Sequence, residues 1–235
     1  MLPLGSRTAA APHCGWFPAV GAVVGGCGAA AGAAAAGLWG SGLTELGVVL
    51  AWAAVSGGLH LDGLADSCDA LFSWQSRERK LEILRDSRIG AMGALGLLGV
   101  LAVQLAALRG LGRAWWVGAL LAPLWGRWAA AYGIARFPAA RSDGMGAPVR
   151  AATRPAHALA ATLAAVALGA AVSFPWGALA LLAVLPLTHV AARGITRSLG
   201  GLTGDAYGAL VELGQCAALL WLAALVHRGV PLTFW

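Results

Sequence analysis

The stretch from Gly57 to Gly90, GGLHLDGLADSCDALFSWQSRERKLEILRDSRIG, holds four of the six aspartates of this 235-residue chain, Asp62, Asp66, Asp69 and Asp86, together with His60, Arg85 and Arg88. On a helix of ~3.6 residues per turn, positions 62, 66 and 69 fall at about 0°, 40° and −20°, so three carboxylates share one face. Like charges at that spacing repel unless a cation lies between them. No basic residue occurs from Asp62 to Gln75, whereas a solvated acidic helix would mix Glu with Lys. Oxygen-only ligands with no neighbouring cysteine pair suit Mg²⁺ or Mn²⁺, and Mg²⁺ keeps room for water and substrate phosphate. The small residues beside the aspartates, Gly63, Ala65, Ser67 and Ala70, are expected to leave the carboxylate face open. His60 reads as a ligand, a general acid or base, a phosphate contact, or a hydrogen-bonded structural histidine. Asp86 follows a basic amphipathic helix over 77–85, where its charge opposes the helix dipole, which points to a cation or an arginine partner. That helix carries an apolar side of Leu81, Ile83 and Leu84 and is expected along the membrane surface.

The elements that position these groups are read from hydropathy. The chain is 59% hydrophobic and only 11% charged, with a mean hydropathy of +0.75. Apolar runs of ~20 residues imply membrane-crossing helices. Seven are expected, over 17–38, 44–60, 90–108, 114–135, 156–174, 176–193 and 206–226, the second one short. The 34 glycines, dense from Gly25 to Gly37, suit close helix approach in lipid. No alternating pattern of a barrel strand is present. The fold class is therefore all-α, a polytopic helical bundle with short cytoplasmic helices, as one transmembrane domain over 1–235. The lipid bilayer is its surrounding.

The net charge of +6 is a topology signal. The basic residues are spread without interleaved aromatics, so no nucleic-acid partner is expected. With the N-terminus inside, Arg7 and the 61–89, 136–155 and 193–205 segments carry twelve Lys or Arg, against three on the other side (Arg109, Arg113, Arg228). That bias puts the polar segments in the cytoplasm and the C-terminus outside. The four cysteines are scattered and suggest neither disulfides nor zinc. Residues 1–15 show little of a cleavable signal peptide. Glu45, at the start of the second span, reads as a charge favourable to the helix dipole.

Two charges lie inside expected spans. Arg127, in LWGRWAAAYG, is too deep for comfortable snorkelling, which favours a phosphate or carboxylate partner. Glu212 lies at similar depth, and both are expected to face the bundle interior, paired or sharing a polar cavity. The loop ARFPAARSDGMGAPVRAATRP places Arg141 and Asp143 among glycines that permit close backbone approach to a ligand; an ordinary basic loop is the alternative. In ARGITRSLGGLTGDAYGALVELG, Arg197 precedes Gly200, Gly201 and Gly204, a loop opening a helix, with Thr203 and Asp205 beside it. Such loops offer N–H groups to phosphate, although Asp205 could instead cap the helix.

Taken together, GGLHLDGLADSCDALFS, LEILRDSRIGAMG, FPAVG near the start, the 140–146 loop and R-x-L-G-G-x-T-G-D-x-x-G resemble the cobalamin synthase family, the adenosylcobinamide-GDP ribazoletransferases. Ala70 departs from the family's usual glycine, and a threonine-arginine-leucine-proline element expected near the N-terminus is poorly matched. The residues alone reach as far as a membrane-embedded Mg²⁺ phosphotransferase. The resemblance implies the substrates: adenosylcobinamide-GDP and α-ribazole or its 5′-phosphate, joined to give adenosylcobalamin or its 5′-phosphate with release of GMP, at the cytoplasmic face of a bacterial inner membrane. In that scheme Asp62, Asp66 and Asp69 hold Mg²⁺, Asp86 or His60 is the base, and Arg85, Arg88, Arg127, Arg141 and Arg197 contact phosphate. Gly201, Thr203, Asp205 and Glu212 complete the substrate site. Rival readings are a CDP-alcohol phosphotransferase, whose DGxxAR element is here Ala65-Asp66 instead of Ala-Arg, and a cation transporter, which would place its ionisable groups near the midplane.

Overall fold

The computed structural model describes residues 13–141 and 146–233. Among them every named element is helical: α1 (Phe17–Trp39), α2 (Thr44–Val55), α3 (Leu59–Leu71), α4 (Arg77–Ile83), α5 (Ala91–Gly110), α6 (Trp115–Arg136), α7 (Ala147–Ala152), α8 (Pro155–Val172), α9 (Trp176–Leu179), α10 (Leu181–Leu199) and α11 (Gly204–His227). The one non-helical pairing described is an isolated parallel bridge between Ala139 and Leu202.

Among the described residues, five helical segments are long and apolar enough to cross a membrane: Cys14–Trp39, Ala91–Gly110, Pro155–Val172, Trp176–Leu199 and Gly204–His227. A sixth arises only if Ser41–Val55 and Leu59–Leu71 are joined across their 87° bend. The expected count of about seven is thus not reached on these criteria. α6 is 22 residues long, ~33 Å at 1.5 Å per residue, yet Arg127, Arg136 and four tryptophans lower its apolarity. It can afford them because it is the central helix, buried from Val117 to Ile134 at most positions and enclosed by α1, α8 and α11. The outer helices turn large apolar side chains such as Val23, Leu95, Leu98, Leu163, Leu182 and Val190 outward, more than half exposed, as lipid contact requires.

Small residues set the helix spacing. Gly21 and Gly25 of α1 lie against the α6 backbone at Pro123 and Leu120, and a Cβ on Gly25 would come within 2.6 Å of the Leu120 carbonyl oxygen. One and two turns on, Gly28 meets Trp52 and Gly32 meets Val48 of α2. This is the small-residue packing of membrane helices, and it bears out the Ala/Gly run as a packing surface.

The second span ends early. Gly57 and Gly58 adopt φ of 60° and 73°, a left-handed region that favours glycine, and the chain turns 87° between α2 and α3. α3 therefore departs from the direction of α2. It lies across one end of the bundle, against the first turns of α5 and α11. α4 is fixed at the same end through its bases: Arg77 Nε donates to the Leu199 carbonyl at 2.8 Å, and Lys80 Nζ to Ser198 Oγ at 2.9 Å. Cations at the C-terminus of α10 complement its dipole and its unpaired carbonyls. α4 also packs on α3 and α10, so its apolar side, with Leu84 buried and Leu81 and Ile83 partly so, meets protein where the sequence suggested lipid. Gly200 ends α10 at φ 79°, and Thr203 opens α11 by accepting from the Ala206 N–H at 3.2 Å. The beginnings of α1, α5, α8 and α11 and the ends of α2, α6 and α10 all meet at this end.

Candidate active site at one end of the bundle

α3 carries Asp62, Asp66 and Asp69 as the spacing predicts. Asp62 is exposed and Asp66 and Asp69 are half-buried. The small residues between them do not leave an open face. Gly63, Leu64, Ala65, Ser67 and Ala70 are instead the buried side of the helix, because close approach to α11 and α5 needs them there. Gly63 abuts the Asp205 backbone, and Gly208 of α11 abuts the His60 backbone, where a Cβ at position 208 would stand only 3.1 Å from the His60 carbonyl oxygen. The helix contact that excludes side chains at 63 and 208 brings a fourth carboxylate, Asp205, up to the other three. Thr203, not Asp205, is the cap of α11, and its hydroxyl also lies 3.3 Å from Asp205 Oδ2.

The electrostatics follow from the crowding. The Asp66 carboxyl is pushed up to about 6, first by burial and then by the charges of Asp62, Asp205 and Asp69. Asp69 has partners of its own: Oδ2 accepts from the Gly90 N–H at 2.7 Å and Oδ1 from the Gly93 N–H at 2.8 Å. It thereby caps the first turn of α5, while each oxygen retains a lone pair. As the side chains stand, no three His, Cys, Asp or Glu among the described residues form a closed metal-ligating group.

Two cavities flank Tyr207. One, of about 600 Å³, is basic, lined by Arg141, Arg150, Thr203 and Tyr207 beside the 139–141 segment. Arg141 donates to the Leu81 carbonyl at 3.3 Å, and its buried Nε has no partner among the described residues. Arg150 Nη1 donates to the carbonyls of Ile134 and Phe137. The other cavity, of about 540 Å³, is mostly apolar, with His60, Asp62, Arg127 and Asp205 at its polar end. Burial and the Arg127 charge hold His60 down at about 4, neutral at pH 7.

The remaining expected residues divide. Asp86 binds Arg88 at 2.6 Å, which holds its carboxyl at about 2; both lie outside the cavities. The arginine partner anticipated for Asp86 is therefore present. Arg85 and Arg197 are exposed and line neither cavity. Gly201 is buried against the Ala139–Ala140 backbone, where Leu202 exchanges hydrogen bonds of 2.8 and 2.9 Å with Pro138 and Ala140. Arg127 and Glu212 both face the interior, each 5% exposed, as expected, and Gln215 links them. Arg127 Nη1 donates to Gln215 Oε1 at 3.1 Å, while Glu212 Oε2 accepts from Gln215 and Gln104, both at 2.7 Å. Asp143 lies outside the described residues.

The family model described as cobalamin-5-phosphate synthase matches residues 1–223. The chain belongs to that family. It is 47% identical over 94% of its length to the adenosylcobinamide-GDP ribazoletransferase of Roseiflexus sp. (strain RS-1), covering 82% of that protein. The enzyme of the same name from Herpetosiphon aurantiacus is 44% identical over 91% of this chain and 86% of its own. That of Desulforamulus reducens is 41% identical over 74% and 69%. No solved structure matches. The chain is thus a transferase of cobalamin biosynthesis built as a multi-helix membrane protein. In this cobalamin synthase, sequence reasoning passed over Gln104, Gln215, Arg150 and Tyr207. Gln104 and Gln215 carried a signal, as amides within otherwise apolar spans, the second one turn after Glu212. Arg150 carried none that distinguishes it from its basic loop.

Proposed function

We propose that the protein is an adenosylcobinamide-GDP ribazoletransferase with α-ribazole or its 5′-phosphate as acceptor. The observation that carries this reading is the meeting of Asp62, Asp66, Asp69 and Asp205 from two helices, beside a basic cavity. A site for a diphosphate needs both cation-binding carboxylates and anion-binding bases.

The donor set fits Mg²⁺. Hard carboxylate oxygens with no soft ligand beside them suit it, and a cation relieves the mutual repulsion that adds to burial in raising Asp66. Asp62, Asp66 and Asp69, joined by Asp205, are the residues that would hold it. Mg²⁺ bound there would neutralise charge on the diphosphate and on the departing phosphate. Arg141 and Arg150 suit the same phosphates from the basic cavity, with Arg141 Nε, unpartnered among the described residues, as a ready donor.

In the reaction the ribazole hydroxyl attacks the phosphorus nearest cobinamide, the bond from that phosphorus to the bridging oxygen breaks, and GMP leaves with the electron pair. The hydroxyl proton needs an acceptor. His60 is neutral and stands on a cavity wall with Asp62; Asp86 is held by Arg88 and lowered to about 2. His60 is therefore the better base. The site end of the bundle faces the cytoplasm of a bacterial cell, on the twelve-to-three distribution of basic residues.

Purified protein in nanodiscs, supplied with adenosylcobinamide-GDP, α-ribazole and Mg²⁺, should release GMP and form the joined corrinoid. No GMP release with either acceptor would overturn the reading. Side-specific labelling of a single cysteine introduced at position 75 should occur from the cytoplasm, and labelling from the opposite side would reverse the topology.

A further inference from the structure

The apolar cavity has a shape that its polar end does not explain. Val20 and Val23 of α1 and Val55 and Leu59 at the α2–α3 bend line it, each half to two-thirds exposed. Ala130 of α6 and Val211 of α11 close its back. α1 and α2 are in tight contact farther along, at Gly28 with Trp52 and Gly32 with Val48. Toward the start of α1 they part, because α2 stops at Val55 and the chain turns away. The cavity mouth therefore opens sideways between two helices, through side chains that face the bilayer.

At the inner end the guanidinium of Arg127 is held on one side by Gln215, itself bound to Glu212. No direct ion pair between Arg127 and a carboxylate is formed among the described residues. A buried arginine without a bonded carboxylate is costly. Arg127 lines the cavity together with His60 and Asp62. The pocket thus offers an apolar slot ending in a cation, next to the proposed base and metal site.

We infer that this cavity seats the base of the acceptor nucleoside, its apolar ring lodged between α1 and the α2–α3 bend with the sugar left at the polar end; this rests on the ribazole transfer proposed above. Three considerations fix the occupant. About 540 Å³ is the size of a site for a drug-sized molecule, too small for a corrinoid macrocycle with its side chains. Guanine carries amide and amino groups that valine, leucine and alanine walls would leave unpaired, a large penalty. The fused, methylated ring of α-ribazole has no such exocyclic polar groups, and its sugar would then lie toward His60, where the attacking hydroxyl must be.

The test narrows the mouth without touching the polar groups. Val20→Trp, or Val23→Trp if the first variant is not recovered folded, changes a lipid-facing rim position. Binding of α-ribazole alone to the protein in nanodiscs is measured by equilibrium dialysis, and KM for each substrate by GMP release. The plugged variant should bind α-ribazole about tenfold more weakly and raise its KM alike, with KM for adenosylcobinamide-GDP within about twofold of wild type. Unchanged α-ribazole binding alongside normal GMP release would overturn the cavity assignment and leave the transfer reaction standing. A rise in KM for adenosylcobinamide-GDP alone would overturn it too, giving the cavity to the other substrate. Binding of α-ribazole that the plug weakens, in a protein that releases no GMP, would uphold the cavity and overturn the reaction.

Discussion

Gly63 of α3 and Asp205 of α11 touch through their backbones: a Cβ at position 63 would stand 2.8 Å from the Asp205 carbonyl oxygen and 2.9 Å from its Cα. Neither partner is a flexible side-chain tip, so the helices would have to separate. Gly63→Ala favours the helix by propensity, by about 1 kcal/mol, yet it should displace Asp62 and Asp66 from Asp205. A shift near 1 Å costs on the order of 10²-fold in rate. GMP release should fall by about that factor while the protein is recovered folded. Normal turnover would show that the Asp205 contact is not needed.

Asp62→Asn, Asp66→Asn and Asp205→Asn each remove one charge from the crowded cluster. The Mg²⁺ concentration for half-maximal rate should rise by about 10- to 100-fold, the range seen when groups around a bound metal are altered. Asp69→Asn should do the same and also loosen α5, whose Gly90 and Gly93 N–H groups it holds. Titration of GMP release against Mg²⁺ checks the set, and an unchanged requirement in Asp62→Asn and Asp66→Asn removes the metal site.

Asp86→Asn and His60→Gln separate the two candidate bases. With the proton passing to His60, His60→Gln should lower the rate by about 10²–10⁴-fold. Asp86→Asn breaks only an exposed pair with Arg88, whose contribution is small, and its rate should stay within a few-fold of wild type. The opposite order of effects would move the base to Asp86.

The raised Asp66 carboxyl makes a pH prediction. Its ordinary value is 3.8 and its value in the fold is about 6, so the folded protein binds the proton more tightly than the unfolded chain. The stability Asp66 contributes is therefore full below pH ~4 and lost as pH rises through about 6. In metal-free protein, wild type should lose thermal stability relative to Asp66→Asn over that window. Mg²⁺ competes with the same proton, so its apparent affinity should weaken as pH falls below about 6. A wild-type-minus-variant difference that is flat from pH 4 to 7 would contradict this.

Gln215 bridges Arg127 and Glu212, and Gln104 binds Glu212 without reaching Arg127. Gln215→Leu unpairs groups on both ends and should destabilise the protein by about 1–3 kcal/mol, more than Gln104→Leu. Unfolding in detergent, followed for both single variants and the double variant, measures the order and the coupling.

Much of the fold was legible because lipid demands long apolar runs. The spans expected over 17–38, 90–108, 114–135 and 206–226 match α1, α5, α6 and α11 to within about two residues at each end. The 44–60 span misled because hydropathy does not register direction: Gly57-Gly58 lies inside an apolar run but turns it by 87°. The carboxylate face of α3 was legible from spacing alone. The role of its small residues was not, since a helical wheel shows which residues share a face but not which neighbour needs their absence of bulk. For the same reason Asp205 could be read as a cap, although Thr203 takes that place. The Arg88 partner of Asp86 was legible, two residues away, whereas Gln104 reaches Glu212 across 108 positions of chain.

α5 is gripped at two heights. Near its start Asp69 binds the N–H groups of Gly90 and Gly93, and about 16 Å farther along its Gln104 binds Glu212. The helix is thus a strut with one foot on the carboxylate cluster and its middle braced on the amide chain that steadies Arg127. A displacement of Asp69 would therefore be carried along the same rod to Gln104 and Glu212, and from there to the amide that holds Arg127 at the edge of the apolar cavity.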